Sequence, residues 1–266
     1  MKNKGEKKMN NLHNEILDLY EKLYASVDKA NKSNKKTQRK GKLTICPAIK
    51  GENYQQGGLM FVGRAINSWC PLDGTVVDGK IKERIARCEK CTLDWVVGEN
   101  TWSHCNNNDC LYAQGEDRLD GRKNSTPFWQ MVRYICEQRG IKENWQKQIV
   151  WSNLYKASYE KGDNPTHFYD EQVALCNQIL IKEIEFYNPS EIYFLTETKT
   201  RKNRTWFCKE YKGKYYKETT HFGDVYKYLR EKGKNIKVFV LTRPEFQIKA
   251  ELYKVKQNLE GKTIEE

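Results

Sequence analysis

The sequence predicts an α/β fold: a three-layer α/β/α sandwich in which helices cover both faces of a central, four-stranded, mainly parallel sheet. Short apolar runs alternate with amphipathic segments along the chain, as parallel strands joined by helices require. The first run, 58–63, ends at Gly63 in the manner of a buried parallel strand. Proline steps at 126–127 and 188–189 mark the start of one helix and the end of another.

Each element is predicted from its own pattern. The four strands are expected at 58–63, 148–154, 191–196 and 237–242. Helices are expected at 11–29, from Thr126-Pro127 onward, at 168–187, at 222–232 and in a last segment with Ile248, Leu252, Val255 and Leu259 on one face. Ligands of parallel sheets bind outside the carboxyl ends of the strands, which directs attention to 63–69, 153–158 and 242–246.

The chain divides into an N-terminal part, 1–42, and a larger α/β domain, 43–266, with a Cys-rich insert at about 70–124. The N-terminal part holds the first helix and the basic segment Lys32–Lys42, which contains no apolar residue. Such a segment is either a solvated tether or an arm that contacts DNA.

Charge and composition narrow the class of partner. The 266 residues carry a net charge of +12, which favours a polyanion and most simply DNA, although lysine-rich chains are also merely soluble. No run is long and apolar enough for a membrane helix, and the basic N-terminus lacks the apolar stretch of a signal peptide. We therefore expect a cytoplasmic protein, monomeric and without a membrane partner.

The nine cysteines form an odd set, which argues against a disulfide framework. Cys88-x2-Cys91 and Cys105-x4-Cys110 resemble the two halves of a four-thiolate structural zinc site, and His104 is a substitute ligand. An iron–sulfur cluster and plain reduced thiols are the alternatives. Such a metal would be structural, and we expect no other cofactor.

A resemblance to a known family appears at the predicted strand ends. Residues 149–156 (IVWSNLYK), followed by 162–166 (GDNPT), the Asn188-Pro189 step and the strand at 191–196, resemble a segment of the uracil-DNA glycosylase superfamily in order and spacing. Residues 61–67 (FVGRAIN) are similar to the first motif of that family, 124–128 (NSTPF) to its Pro-Phe segment, and 241–245 (LTRPE) to its last motif. The similarity covers 43–258 and implies the fold of that family.

The resemblance implies roles for particular residues. Phe128 corresponds to the aromatic platform on which a flipped base stacks, although a core Phe on an amphipathic helix would look the same. Asn153 corresponds to the residue that reads the base, because an amide offers both a donor and an acceptor; a structural Asn in a turn is the alternative. Asn67 is the candidate for orienting water, with a loop Asn as the alternative. Three carboxylates in the neighbouring segment could instead act as the general base that activates the water: Asp73, Asp78 and Asp94.

Two departures from the family concern charge. Arg64 stands where the first motif has a carboxylate, and Arg243 stands where the last motif has a histidine. Arg243 is expected either to stabilise the departing base anion or to grip a phosphate. Arg64 and Lys156 are expected to contact the DNA backbone.

The function implied is that of a monofunctional DNA glycosylase, which hydrolyses the bond between a flipped base and its sugar and leaves an abasic site. The altered motifs and the long insert point to a modified pyrimidine, such as a bulky substituted cytosine of phage DNA in an anti-phage role, or to uracil. The alternative is a non-catalytic DNA-binding or base-sensing module on the same fold. A third reading is a zinc-organised protein-interaction domain, whose DNA affinity would be weak and insensitive to salt.

Overall fold

The computed structural model describes residues 2–33, 43–65, 81–83, 85, 127–159, 169–197, 209–211, 214–216 and 221–242. The helices are α1 (Lys2–Ser33), α2 (Pro127–Gln138), α3 (Tyr169–Tyr187) and α4 (Gly223–Lys232). The strands are β1 (Leu43–Ile45), β2 (Ile49–Lys50), β3 (Leu59–Ala65), β4 (Ile149–Tyr155), β5 (Ala157–Tyr159), β6 (Glu191–Glu197), β7 (Lys209–Tyr211), β8 (Lys214–Tyr216) and β9 (Lys237–Thr242).

The central sheet has five strands in the order β2-β4-β3-β6-β9. The four predicted strands are all present and run parallel to one another. The expected strand count of four is corrected by β2, which pairs antiparallel with β4 through Ile49 and Trp151. A strand of two residues carries no periodicity, so the sequence pattern could not reveal it.

Helices lie on both faces of this sheet. On the first face α1, α3 and α4 share one buried cluster with strand residues that include Val62, Leu154 and Phe194. On the second face α2 packs over Phe61 and its strand neighbours. The described residues therefore form three layers of helix, sheet and helix, as the sequence predicts.

The neighbouring strands β3 and β6 separate at the carboxyl edge of the sheet. Pairing between β3 and β6 ends at Val62 and Phe194. Beyond that point β3 continues beside β4, and β6 continues beside β9 with a register shift after Leu195. Helix α2, which precedes β4, lies on the second face, whereas α4, the next described helix after β6, lies on the first. Such a change of direction is the topological switch point at which α/β sheets bind ligands.

The N-terminal helix is longer than predicted and belongs to the main core. Its apolar periodicity covers only 11–29, but the helix also includes the preceding lysine-rich stretch. The lysines of that stretch have good helix propensity, although it has no apolar stripe. Tyr20, Leu23 and Val27 are fully buried in the cluster that contains α3. The boundary expected after residue 42 therefore does not separate two cores.

Smaller pairings complete the described structure. β1 pairs antiparallel with β5, so Leu43 lies beside Tyr159 just beyond the end of β4. β7 and β8 form a hairpin in a stretch whose mixed composition predicts no definite element. The predicted last helix, 248–259, lies outside the described residues. None of the described helices combines the length and apolar composition needed to cross a bilayer.

Candidate functional site

The candidate site is built on two neighbouring residues at the carboxyl edge of the sheet, Gly63 on β3 and Asn153 on β4. They are register partners in the parallel pair. A Cβ placed on Gly63 would lie 2.5 Å from Asn153 Oδ1, so the amide rests directly against the glycine. Only glycine allows this approach, because any other residue would push the amide away.

The Asn153 side chain is buried, with 2% of its surface exposed. Its Nδ2 atom has no hydrogen-bond partner within the part of the chain that the structure describes. Burial of an unsatisfied amide donor costs free energy, and native proteins usually provide an acceptor. The arrangement is that of a donor held ready for an acceptor supplied from outside.

Phe128 borders the same position. It is the second residue of α2, and its Cε2 atom lies 3.4 Å from the Cβ that Gly63 lacks. Its ring meets Trp129 edge to face at 5.0 Å and Trp151 at 6.3 Å. The ring is only partly buried, while the next residues of α2 already supply the core face: Trp129, Met131, Val132 and Ile135. Phe128 is therefore the part of this aromatic group that is available to a ligand.

A row of aromatic side chains supports the site from below. Phe61 stacks on Tyr193 at 5.1 Å, and Tyr193 stacks on Phe239 at 4.7 Å. Trp151 is the register partner of Phe61 on the other side. Four adjacent strands thus contribute one ring each. This close-packed layer fixes the positions of Gly63 and Asn153, which lie two residues further along β3 and β4 on the same face of the sheet.

Arg64 follows Gly63 on β3 and is partly exposed. It lies at the carboxyl edge of the sheet, as Asn153 does. Its contact with the DNA backbone stays a prediction.

The structure contradicts the predicted DNA contact of Lys156. Its side chain is fully buried, and Nζ lies 2.6 Å from Glu183 Oε2 and in hydrogen-bond contact with Ser152 Oγ. Lys156 follows β4 directly, and the alternation of side chains turns it toward α3 rather than toward solvent. A lysine held in a buried ion pair cannot reach a phosphate.

Several predicted site residues lie outside the described part of the chain. They are Asn67, Arg243 and the four cysteines of the proposed metal site, Cys88, Cys91, Cys105 and Cys110, together with His104, Asp73, Asp78 and Asp94. Asn67 follows the end of β3 and Arg243 follows the end of β9 along the chain. Among the residues that are described, no group of three or more His, Cys, Asp or Glu side chains could hold a metal ion.

A buried polar cluster lies beneath the site on the first face. Glu183 Oε2 also accepts a hydrogen bond from Ser152 Oγ at 2.7 Å, and Oε1 accepts from Ala48 N at 3.1 Å and from Tyr20 Oη at 2.9 Å. The Lys156 and Glu183 charges are therefore neutralised and fully solvated by protein groups. This cluster is buried from solvent and connects β4 with α1 and α3. Its role is therefore structural.

Two residues near the edge were missed in the sequence, Tyr155 and His221. The Tyr155 hydroxyl lies 2.5 Å from His221 Nδ1, and the imidazole is exposed. A histidine just before the predicted helix at 222–232 was the available signal, but nothing in its neighbours indicates that β4 would meet it. Only the tertiary arrangement brings the two together.

The chain was compared with models of protein families and with curated proteins. Neither comparison gives a match. The geometry at the carboxyl edge of the sheet is therefore the evidence from which a function can be argued.

Proposed function

We propose that this protein is a DNA glycosylase that binds an everted pyrimidine at Asn153 and Phe128 and hydrolyses its N-glycosidic bond. The observation that carries the proposal is the buried Nδ2 of Asn153, which lacks an acceptor among the described residues and lies beside a partly exposed aromatic ring. Pyrimidine bases present a ring face for stacking and carbonyl or ring-nitrogen acceptors on one edge. One nucleobase satisfies both groups at once.

Further support comes from position and charge. Asn153 lies at the carboxyl edge of the sheet, one strand away from the switch point between β3 and β6, and α/β proteins bind ligands at this edge. The net charge of +12 favours a polyanionic partner, and the motif order over 43–258 resembles the uracil-DNA glycosylase superfamily. Glycosylases must first extrude the base from the stack, and a stacking ring together with a hydrogen-bonding amide repays part of that cost.

The chain's own residues have separable tasks in this proposal. Phe128 stacks on the base, and Asn153 Nδ2 donates to a base acceptor and thereby withdraws electron density as the bond to the sugar breaks. Gly63 leaves the amide in place. Asn67 and Arg243 are proposed to orient the water and to stabilise the departing base, and the proposed substrate is a modified pyrimidine or uracil.

The test is base release from defined duplexes. We expect alkali-labile abasic sites in at least one duplex that contains uracil, 5-hydroxymethylcytosine or its glucosylated form, and none in plain DNA. N153D exchanges the donor for an acceptor at constant shape, and we expect about a 10²-fold loss of single-turnover rate. N11A, an exposed Asn on α1, is the matched control.

A non-catalytic base-sensing module is the second candidate, and one observation favours it: an arginine occupies the position of the family's first-motif carboxylate, at Arg64. Such a module would bind DNA with the same dependence on Asn153 and Phe128 but would leave every duplex intact. Binding without any abasic site would therefore replace the first proposal with the second. N153D and F128A binding equal to that of the unaltered protein would contradict both.

A further inference from the structure

A groove lies among the helices of the first face, where the N-terminal half of α1 passes the end of α3 and the side of α4. Its volume is about 710 Å³, which is within the range of sites that bind small ligands. Hydrogen-bond donors line it from all three helices and from the turn after α3: Lys7, Lys8, Lys182, Asn188 and Tyr228. We call it the amino-edge groove.

The amino-edge groove lies at the opposite edge of the sheet from Asn153. Asn188 comes shortly before β6, and its carbonyl accepts a hydrogen bond at 2.8 Å from Gly57 N, which comes shortly before β3. The parallel strands begin at this edge, and a strand of seven residues such as β6 carries the chain roughly 23 Å away from it. The groove is therefore separate from the candidate base site, and the proposed function does not use its residues.

The charges of the groove are unevenly placed. Glu15 and Glu185 lie 2.9 Å and 3.2 Å from the Nζ atom of Lys182, which bridges the two carboxylates. Lys7 and Lys8 are exposed, and neither forms an ion pair within the part of the chain that the structure describes. Three lysines and two carboxylates leave one net positive charge, and the unpaired cations are those of α1.

An amide and a phenol complete the lining. The Asn188 backbone donates to Ile184 O and accepts from Gly57 N, so the turn is held without the exposed Asn188 side chain. Burial, and then the charge of Glu185, raises the pKa of Tyr228, so its hydroxyl remains a donor. Cations and donors suit a ligand rich in anionic oxygens, and the half-buried Tyr228 ring offers a surface on which a base can stack.

We propose that the amino-edge groove is a second ligand site, which binds the phosphate and base of one nucleotide unit. Lys7, Lys8 and the Asn188 amide hold the phosphate oxygens, and the Tyr228 ring contacts the base. A free nucleotide and one unit of a single strand share this chemistry. The site goes beyond the proposed function, since it does not require that the protein release any base.

Equilibrium binding tests the site with two probes that contain no pyrimidine, a fluorescein-labelled oligodeoxyadenylate by anisotropy and ATP by equilibrium dialysis. We expect K7Q/K8Q to weaken binding by about tenfold. It should also reduce the slope of log affinity against log salt for the strand by about 1.4, because each phosphate contact of a single strand contributes about 0.7. N188D, which replaces a donor by a carboxylate, should also weaken binding by about tenfold. N153D should bind both probes as the unaltered protein does.

Each variant has a matched control. K22Q/K29Q removes the same charge from exposed positions of α1 outside the groove. N144D makes the same exchange at an exposed asparagine that is also left-handed, with φ 49°. Both controls should bind as the unaltered protein does. All the replaced side chains are exposed, so the thermal midpoints should stay close to that of the unaltered protein.

The outcomes separate this site from the proposed function. Binding of ATP assigns the groove to a free nucleotide, and binding of the strand alone assigns it to single strands. Equal weakening by K22Q/K29Q and K7Q/K8Q would overturn the site, because diffuse charge would then explain the affinity. Binding of neither probe, or binding of phosphatidylserine vesicles alone, would overturn it as well. Absence of base release from every duplex, with groove binding intact, would contradict only the glycosylase proposal.

Discussion

At the scale of single residues, the site depends on a glycine that carries no chemistry of its own. Gly63 allows the Asn153 amide to lie against the β3 backbone. The edge of the Phe128 ring lies within van der Waals distance of the position that a Gly63 side chain would occupy. The sequence motif around Gly63 points to this strand end. The close approach of the two side chains to that glycine is visible only in the folded structure.

The G63A substitution tests this dependence. The added methyl would meet Asn153 Oδ1 at 2.5 Å, so the amide must move and the base should lose its hydrogen bond. We expect binding of a base-containing duplex to weaken by about tenfold, the value of one ordinary hydrogen bond. Equilibrium titration by fluorescence anisotropy measures the change.

The control is G5A in α1, where the new methyl meets nothing within 4 Å. Alanine in an exposed helix interior should stabilise the protein by about 0.5–1 kcal/mol without altering DNA binding. Undiminished binding by G63A would show that the Asn153 amide does not contact the base.

At the scale of elements, one carboxylate connects three of them. Glu183 on α3 holds Lys156 at the end of β4, and the same group meets Tyr20 of α1. Burial and the Glu183 charge raise the pKa of Tyr20 well above its ordinary value, so its hydroxyl remains protonated. The N-terminal helix therefore completes the polar shell around a buried ion pair directly behind the strand that carries Asn153.

Removal of one partner should be severe because the other charge is left buried. We expect E183A to lower the free energy of unfolding by about 3–5 kcal/mol, measured by urea denaturation. The double variant K156M/E183Q removes both charges and should recover a large part of that loss. A stability loss in the double variant equal to that of E183A would show that the penalty is not the unpaired lysine.

The surface ion pair of Arg133 and Glu137 on α2 provides the comparison. These side chains are substantially exposed, and R133A should cost less than about 1 kcal/mol. The contrast between the two pairs separates the effect of burial from the effect of charge.

At the scale of the whole molecule, several buried acids make the fold sensitive to alkali. Burial raises the pKa of the Cys176 thiol to about 12 from its ordinary 9.0. Burial likewise raises the pKa of Tyr20 and of Tyr54. In each case the folded state retains a proton that the unfolded chain releases.

The sign of the effect follows from proton binding. Between pH 9 and about 12 the unfolded state has lost the Cys176 proton while the folded state keeps it, so stability is complete below pH 9 and falls as pH rises. Each such group contributes a slope of about 1.4 kcal/mol per pH unit. Urea denaturation with reductant at pH 8, 10 and 11 measures the fall.

Cys176→Ala removes one of these groups. The free energy of unfolding should then fall less steeply with rising pH, by about 1.4 kcal/mol per pH unit. The variant is also expected to be less stable at pH 8, because it leaves a small cavity in the core. An unchanged slope would mean that the Cys176 thiol ionises as readily in the folded protein as in the unfolded chain.

Much of this architecture could be predicted from local pattern alone. The strand at 237–242 and the helix at 168–187 differ from β9 and α3 by at most one residue, because apolar runs and a helical stripe are local signals. The turn at Asn188 was equally clear, and its left-handed conformation, φ 45°, ends α3 before Pro189. The motif at 149–156 likewise directed attention to Asn153.

What the sequence by itself determined is the class of fold and the order of its four parallel strands and of the helices α1 to α4. Tertiary structure alone decided that Lys156 is buried in an ion pair, that Asn153 keeps an amide donor without an acceptor among the described residues, and that Tyr155 meets His221. The physical reason is range. Periodicity and turn chemistry act over a few residues, whereas burial and partnership depend on elements far apart in the chain that packing brings together.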